Sequence, residues 1–426
     1  MKKEDLQKVH PLYKANKDSW ALYDLVYKSG RPLIEYALKQ NPRESSKNHS
    51  ARLGDGYVFN FGKAIIDLFS FSMTSKSVVR NMEGLQNDPL WEKFKKDSDL
   101  RGTNYDVLMS ECQKFASVFG TMGILVNKPA SDAVNMKDEI DNAIYPYFAL
   151  YTPLNILDWA FEKDPDTHRD RLVFLKLLEA NGDYLVWTRE NWEIWGVDAK
   201  NKGPKLLDSE VNELEEIPFV WMSNLKDLTT PEVGVSDLVD ISHIVLSITQ
   251  NLSSGEEIIK YAGFPIMRKP MEREVQTPVD GEVPVSVTSV EQYDPSLGES
   301  GKPDWMPTQI LEPIDSILKW IDRKTDEIFR VAHLSGVHGQ RKSNNEVASG
   351  MALRYEYSQL NSAMIAKSIN QVEAEIAGLR LWLKWQNKKE LIDTIDIKPT
   401  MEFGIDDLSI ELDNAMKSMK TVYSQR

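Results

Sequence analysis

Apolar residues recur along this chain with two periods, and the change from one to the other divides it. Residues 1–50 are polar and interrupted by Pro11, Pro32 and Pro42, with short helical stretches around Asp18–Lys28 and Pro32–Lys39. From Asp55 to Met73 the apolar run fits either a buried helix or a strand–helix element, because periodicity alone does not separate them. Tyr105, Leu108, Cys112, Phe115 and Phe119 recur at helical spacing behind Thr103, which predicts a helix capped by Thr103 with one stripe facing inward. Gly120 and Gly123 then bracket the change to a strand at Ile124–Val126. Residues 144–200 hold short runs rich in aromatic and β-branched residues. Turn signals at Asp164-Pro165-Asp166, Asn181-Gly182-Asp183 and Glu190-Asn191 separate these runs and predict an antiparallel meander.

From Ser236 the period is helical. Leu238, Ile241, Val245, Ile248, Leu252 and Ile259 form one stripe, with Ser236 as cap and Gly263 and Pro265 as the stop. Residues 264–312 lose periodicity and carry seven prolines, nine acids and four Lys or Arg. A second helix follows Pro313, with Ile314, Ile317, Leu318, Ile321, Ile328 and Ala332 on its stripe. A polar interruption, SGVHGQRKSNN at 335–345, carries Arg341 and Lys342 and no acid. A very long helix is expected from about Glu346 to Lys388, roughly 64 Å at 1.5 Å per residue. Its stripe runs 353, 357, 360, 364, then 365, 369, 372, 376, 379, 383, heptad-like with one slip. Stripes of this length are expected to find their cover on other copies of the chain, and copies around an axis make a ring. The tail at 390–413 has eight acids and one Lys, with a strand expected at Lys398–Phe403.

Composition narrows the class. The 426 residues suit two or three packed units, and 41% apolar with 27% charged residues is globular. The net charge of −14 argues against tight binding of phosphate backbones, which needs clustered cations. Cys112 is the sole cysteine, so no intramolecular disulfide and no thiolate zinc site can form. No run of about 18 apolar residues occurs, so no membrane span is expected.

Chemistry is scarce. The phosphate loop G-x-x-x-x-G-K-[ST], the dinucleotide fingerprint G-x-G-x-x-G and the nucleophile elbow G-x-S-x-G are all missing. The six histidines (10, 49, 168, 243, 333, 338) include no H-x-x-x-H pair, and His333 and His338 sit five apart around Gly336. Asp164, Asp166 and Asp170 resemble the start of a calcium loop. Arg169 and Leu175 stand where Gly and Glu are required, so a hairpin turn is the better reading. The acid pairs Glu256-Glu257 and Asp406-Asp407 read as solvated surface. Trp187, Trp192, Trp195, Trp382 and Trp385 could stack on sugars or bases, but their strand and helix contexts favour packing. No catalytic residue, metal ligand or cofactor is expected.

Several stretches in order carry a resemblance. HPLYK at His10–Lys14 is followed by Trp20 and Asp24; NYDVLMSECQKFASVFGTMGILV spans Asn104–Val126; IYPYFALYTPLNILDW follows. In IFRVAHLSGVHGQRKSNNEVASGMALRYEYSQL (328–360), a helix ends, a loop follows, and Ser349-Gly350-Met351-Ala352-Leu353 opens the long helix. The chain resembles the portal proteins of tailed bacteriophages over most of its length. The resemblance implies an α+β fold: a wing at 1–235 with the meander at about 144–200, stem helices at 236–263 and 313–334, and a clip at 264–312. A tunnel loop at 335–346, a long kinked helix at 347–389 beneath the crown, and a C-terminal strand with the start of a crown at 390–426 complete it.

It further implies a non-enzymatic homo-oligomeric ring, most often of twelve, at one capsid vertex of a virion assembled in the host bacterial cytoplasm. Double-stranded DNA of any sequence passes through the ring. Its partners would be the terminase large subunit, a head-completion adaptor, and the major capsid and scaffold proteins, with no membrane. The tunnel-loop residues Gln340, Arg341, Lys342, Ser343 and Asn344 would meet DNA, and the clip residues Tyr293, Lys302 and Trp305 would dock the adaptor or face the bore. Twelve copies would bring about two dozen positive charges to one level of the ring; the plainer alternative is that Arg341 and Lys342 are ordinary loop cations. Two other classes stay open, a different capsid or tail connector and a hydrolase with its site in the β-rich part.

Overall fold

A computed structural model describes residues 3–42, 44–74, 78–129, 136–197, 203–263, 267–270, 290–293, 304–305, 311–334, 350–401 and 403. Helices α1 (Lys3–Gln7), α2 (Pro11–Lys28), α3 (Arg31–Ala37), α4 (Ser46–Asp55) and α5 (Phe61–Thr74) open the chain. Strand β1 (Val79–Met82), helices α6 (Pro89–Lys96) and α7 (Tyr105–Phe119), strand β2 (Thr121–Asn127), helix α8 (Met136–Asp141) and strand β3 (Tyr147–Tyr151) follow. Next come β4 (Ile156–Lys163), β5 (Asp170–Leu178), β6 (Tyr184–Thr188), β7 (Asn191–Val197), β8 (Pro204–Val211) and β9 (Phe219–Ser223). Helix α9 (Ile241–Gly263), strands β10 (Met267–Pro270), β11 (Val290–Tyr293) and β12 (Asp304–Trp305), helices α10 (Leu311–Val331) and α11 (Gly350–Trp385), and strand β13 (Ile395–Lys398) complete it. The class is α+β, with every strand pair antiparallel except β10–β11. No helix among the described residues is long and apolar enough to cross a membrane.

The chain forms two compact units. One comprises Met1–Tyr27, Gly62–Asp240 and Ala332–Arg426. At its centre is β2, whose unbroken run Met122–Val126 is buried, between β3 and β9 in a three-stranded sheet. Both α7 and α11 pack on this sheet, which is why its middle strand is apolar throughout rather than alternating. Gly123 has no side chain because the Phe219 ring fills that space: a Cβ there would lie 2.2 Å from the ring. Trp91, Phe94, Tyr105, Phe148 and Trp382 form an aromatic core, with ring centroids 5.1–6.0 Å apart. The Trp382 and Trp385 indoles donate to the carbonyls of Pro146 (2.9 Å) and Val126 (2.8 Å), satisfying their polar atoms inside.

Strands β4 to β8 form a five-stranded meander. Turns fall at the three predicted signals. The Asp164 carboxylate accepts the N–H groups of Asp166 (3.0 Å) and Thr167 (2.9 Å), so this is an Asx turn and not a calcium loop. The meander runs over Ile156–Val211 rather than 144–200. Tyr147–Tyr151 belongs to the other sheet, because Pro153 starts a 3₁₀ turn that redirects the chain. Strand β8, which the sequence pattern missed, is an exposed sheet edge with little periodicity.

His10, Tyr13 and Lys176 clamp the N-terminal segment. The His10 carbonyl accepts the first bond of α2 from Lys14 (3.0 Å), and its Nδ1 accepts the Leu12 N–H (3.3 Å). His10 is therefore the N-cap and Pro11 the first helical residue, a place proline favours; α2 begins there and not near Asp18. The His10 ring stacks on Trp159 at 4.0 Å, and the Tyr13 hydroxyl donates to the Leu154 carbonyl (3.2 Å). The Lys176 ammonium, on a fully buried residue, donates to the carbonyls of Asp5 (2.9 Å), Leu6 (3.3 Å) and Lys8 at the C-terminal end of α1. Burial lowers the Lys176 pKa, with Asp158 acting in the other direction.

The second unit comprises Lys28–Phe61 and Ile241–Val331. Helices α9 and α10 pack together: Lys324 donates to the Ser247 hydroxyl (2.7 Å), and a Cβ on Gly255 would lie 3.8 Å from Ile317. Those two contacts place the helices antiparallel. Ile241, Val245, Ile248 and Leu252 are buried as the stripe predicts, as are Ile321 and Ile328. Ile259 and Leu318 are instead 50% and 54% exposed, and Trp320, which lies off the predicted stripe, is 57% exposed. Arg52 binds Glu44 at 2.7 Å, and Tyr57 donates to Glu256 (3.1 Å), which gives one member of the Glu256-Glu257 pair a structural partner.

Several boundaries differ from the sequence expectation. The 55–73 segment is a helix, Phe61–Thr74. Asn104, not Thr103, caps α7 by accepting the Asp106 N–H (2.9 Å), while Thr103 donates to Asp99. Ser236 closes a turn by accepting from Leu238 (2.9 Å), and the helix begins at Ile241. The C-terminal strand is Ile395–Lys398, ending before Pro399, rather than Lys398–Phe403. Helix α11 has 36 described residues. Its second half is not a one-sided stripe. Val372, Leu379 and Leu383 are buried, but so are Lys367, Asn370, Gln371 and Glu375 on other faces. The expectation that this helix finds cover only on other copies is therefore corrected, since β2 and β9 of its own chain cover it.

His10 gives a pH test. Burial holds its pKa below 6.5, against the opposing charges of Asp158 and Glu232. The unfolded chain therefore takes up a proton first, so the stabilisation is complete above about 6.5 and is lost as pH falls through the lowered folded value. In urea unfolding at pH 7.5 and pH 5, His10→Gln is expected to lose less stability than the parent over that interval.

Candidate functional site

Two of the three predicted clip positions, Tyr293 and Trp305, fall on the small sheet between α9 and α10, ordered β11-β10-β12. Its register is informative. Met267 pairs with Val290 on one side and Trp305 on the other, an apolar rung. Arg268 pairs with Glu291 and Asp304 in the next rung. Tyr293 pairs with Pro270, so Tyr293 and Trp305 belong to opposite ends of β10 and to different flanking strands. Lys302 lies outside the described residues, as do Gln340, Arg341, Lys342, Ser343 and Asn344, His338 and Asp406-Asp407. The outer edges of β11 and β12 have no strand partner among the described residues, an arrangement able to accept an added strand.

The long helix is held by buried charges that sequence reading missed. The Arg80 guanidinium, on β1, binds both carboxylate oxygens of Glu375 on α11, one of them at 3.4 Å, and also Asp106 at the start of α7. Arg80 lies over the Tyr105 ring, 5.2 Å from its centroid. The Glu375 side chain is wholly buried, and burial pushes its pKa up while Arg80 pulls it back down. Burial also works against the Arg80 charge, but Glu375 keeps the guanidinium above its ordinary pKa. Lys367 pairs with Asp237, and its ammonium sits 4.5 Å from the Phe69 ring centroid. Lys384 pairs with Glu216. Lys388 pairs with Asp88, whose other oxygen caps α6 by accepting from Leu90 (2.9 Å). The available sequence signal was slight: Glu375 stands between Ala374 and Ile376 in a helix that also carries Glu373 two residues earlier.

These arrangements position elements of the fold. Among the described residues no cluster of His, Cys, Asp and Glu could hold a metal ion. Cys112 is buried, and burial pushes its thiol up to about 12, which leaves little thiolate at neutral pH. Trp187, Trp382 and Trp385 are buried packing residues, whereas Trp192 and Trp195 are partly exposed, Trp195 donating to Glu193 (2.7 Å).

No family model matches the chain, and no curated protein matches it. Among solved structures, the chain is similar to one in the virion of a native gene transfer agent particle, at 11% identity over 92% of this chain and 89% of that one, with a TM-score of 0.45. It is also similar to one in the neck of an empty gene transfer agent particle computed with C6 symmetry, at 10% identity over 85% of this chain and 86% of that one, with a TM-score of 0.43.

The Arg80–Glu375 pair can be tested directly. Arg80→Met leaves a buried carboxylate without its counter-charge and is expected to cost about 3–5 kcal/mol in denaturant unfolding. The double variant Arg80→Met, Glu375→Leu is expected to recover most of that loss.

Proposed function

We propose that this chain is the subunit of a portal ring at the capsid vertex of a tailed-phage-like particle. In this reading it forms the passage for genome packaging and ejection, and docks a terminase and a head-completion adaptor. The observation that carries the proposal is the order of elements from residue 241 onward. Antiparallel helices α9 and α10 enclose a proline-rich insert bearing a three-stranded sheet, and the basic segment 335–345 then leads into α11. That is the stem, clip, tunnel-loop and long-helix order of the family the sequence resembles.

The physical requirements of such a passage agree with the composition. DNA of any sequence must slide, so phosphates must not be gripped, and a chain of net charge −14 keeps non-specific affinity low. A few cations at one level, Arg341 and Lys342 in each copy, supply contact without a continuous basic track. The exposed Leu318 and Trp320 on α10 offer apolar surface for a neighbouring copy, and the free edges of β11 and β12 suit strand addition by a neighbour or adaptor.

Two measurements test this. Native mass measurement with negative-stain imaging is expected to find a closed ring of about a dozen chains; a stable monomer or dimer at micromolar concentration, also in the presence of scaffold, removes the proposal. Arg341→Ala with Lys342→Ala is expected to leave the ring intact and change DNA packaging or retention. Unchanged packaging removes the channel role of those two residues.

A further inference from the structure

A groove of about 360 Å³ in the first unit opens between two sheet edges. Strand β4 ends the order β4-β5-β6-β7-β8 and β9 ends the order β3-β2-β9, so each has one side with no strand partner among the described residues. Their side chains meet at the groove: the Phe161 ring of β4 lies 5.6 Å from the Trp221 ring of β9, centroid to centroid. Phe161 is 38% exposed and Trp221 partly so, and Leu172 and Val220 extend this apolar floor. Helix α11 supplies the facing wall, from Ala377 to Lys384.

Cations outnumber acids at the rim. Lys384 and Glu216 neutralise each other, which leaves Arg171 and Arg380 against Asp170. Arg171 donates to the Glu215 carbonyl (2.8 Å), and neither arginine forms a salt bridge among the described residues. An apolar floor, two open edges and spare guanidiniums together suit an extended segment with apolar residues on one face and acids on the other.

The chain itself carries such a segment outside the described residues. Leu408, Ile410 and Leu412 alternate with Asp407, Ser409, Glu411 and Asp413, a strand period, and no base occurs from 404 to 413. Its own groove is out of reach. The Phe403 N–H donates to Asn361 (3.1 Å) and the Thr400 N–H to Ser368 (2.8 Å), so the described chain ends against that side of α11. About two and a half helical turns separate Ser368 from Ala377, which places the groove on the opposite side. Asn361 and Ala377 are also about 24 Å apart along the helix. The stretch from Phe403 to Leu408 extends at most about 18 Å.

We propose that residues 407–413 of a second copy lie in this groove as an added strand. Leu408, Ile410 and Leu412 then cover Phe161 and Trp221, and the acids meet Arg171 and Arg380. The inference rests on the homo-oligomeric reading, since it needs a second copy.

The test has two arms. A labelled peptide of residues 404–414 is titrated by fluorescence anisotropy into the full chain carrying Ile410→Asp, which keeps its own segment out of the grooves. Saturable binding is expected. Adding Arg171→Glu and Arg380→Glu is expected to weaken it about tenfold, and a peptide with Glu411→Lys and Asp413→Lys to recover that loss. No binding, equal binding of a shuffled peptide, or indifference to the charge reversal would overturn the proposal. In the second arm, chains with Arg380→Cys and chains with Glu411→Cys are mixed under oxidation, the native Cys112 being buried. A disulfide joining two chains is expected. A bond that forms only within a chain carrying both substitutions would overturn the second-copy occupant. Native mass measurement separates the two readings. A ring without the cross-link removes the groove occupant alone, whereas peptide binding by a chain that stays monomeric removes both the ring and the second-copy occupant.

Discussion

Every charge that α11 carries into the interior must meet a fixed counter-charge, and the architecture of the first unit follows from that requirement. A long helix with only apolar cover can slide or rotate by a residue at modest cost. Burying Lys367 and Glu375 removes that freedom, because a one-residue slip would leave an ammonium and a carboxylate unpaired in a low-dielectric interior. Asp237 and Arg80, brought from the segment before α9 and from β1, therefore set both the rotation and the axial position of the helix. Lys384 with Glu216 and Lys388 with Asp88 continue the same constraint toward its C-terminal end.

The same unit depends on two points where backbone meets backbone. Gly120 ends α7 in the left-handed region at φ 93°, and Gly234 at φ 61° comes so close that a Cβ on it would lie 2.2 Å from the Gly120 carbonyl oxygen. Around this contact the Asp237 N–H reaches the Ser117 carbonyl (3.0 Å) and the Asn224 N–H reaches the Gly120 carbonyl (2.9 Å). The close approach thus delivers Asp237 to Lys367 and Asn224 to Ser117. At the N-terminus, the two separated stretches HPLYK and NILDW meet physically through the His10–Trp159 stack and the Tyr13–Leu154 hydrogen bond.

Legibility from the sequence tracked the range of the interaction. The stripe of α7, the Asn181-Gly182 hairpin and the buried positions of α9 were readable because each depends on neighbours a few residues away. The caps at Asn104 and His10 were misread by one residue or missed, since several residues at each end could serve and packing chose among them. The meander's start was misplaced because β3 has strand character like its successors, yet hydrogen-bonds to β2. For the insert, proline and acid content marked an irregular region, while the pairing of its rungs needed the register of three short strands drawn from the 39 residues Met267 to Trp305.

By itself the sequence determined that the protein is globular and free of intramolecular disulfides, where most helices lie, and the order of helix, insert, helix, basic segment and long helix. Those follow from composition and from local periodicity, which act over one or two turns of chain. Only the tertiary structure decided that α11 is a core element of its own chain, that Arg80 belongs to Glu375 across almost 300 residues, and that Phe161 meets Trp221 between two sheet edges. Electrostatic and hydrogen-bond partners are chosen by position in space, and no spacing along the chain encodes which distant residue will arrive there.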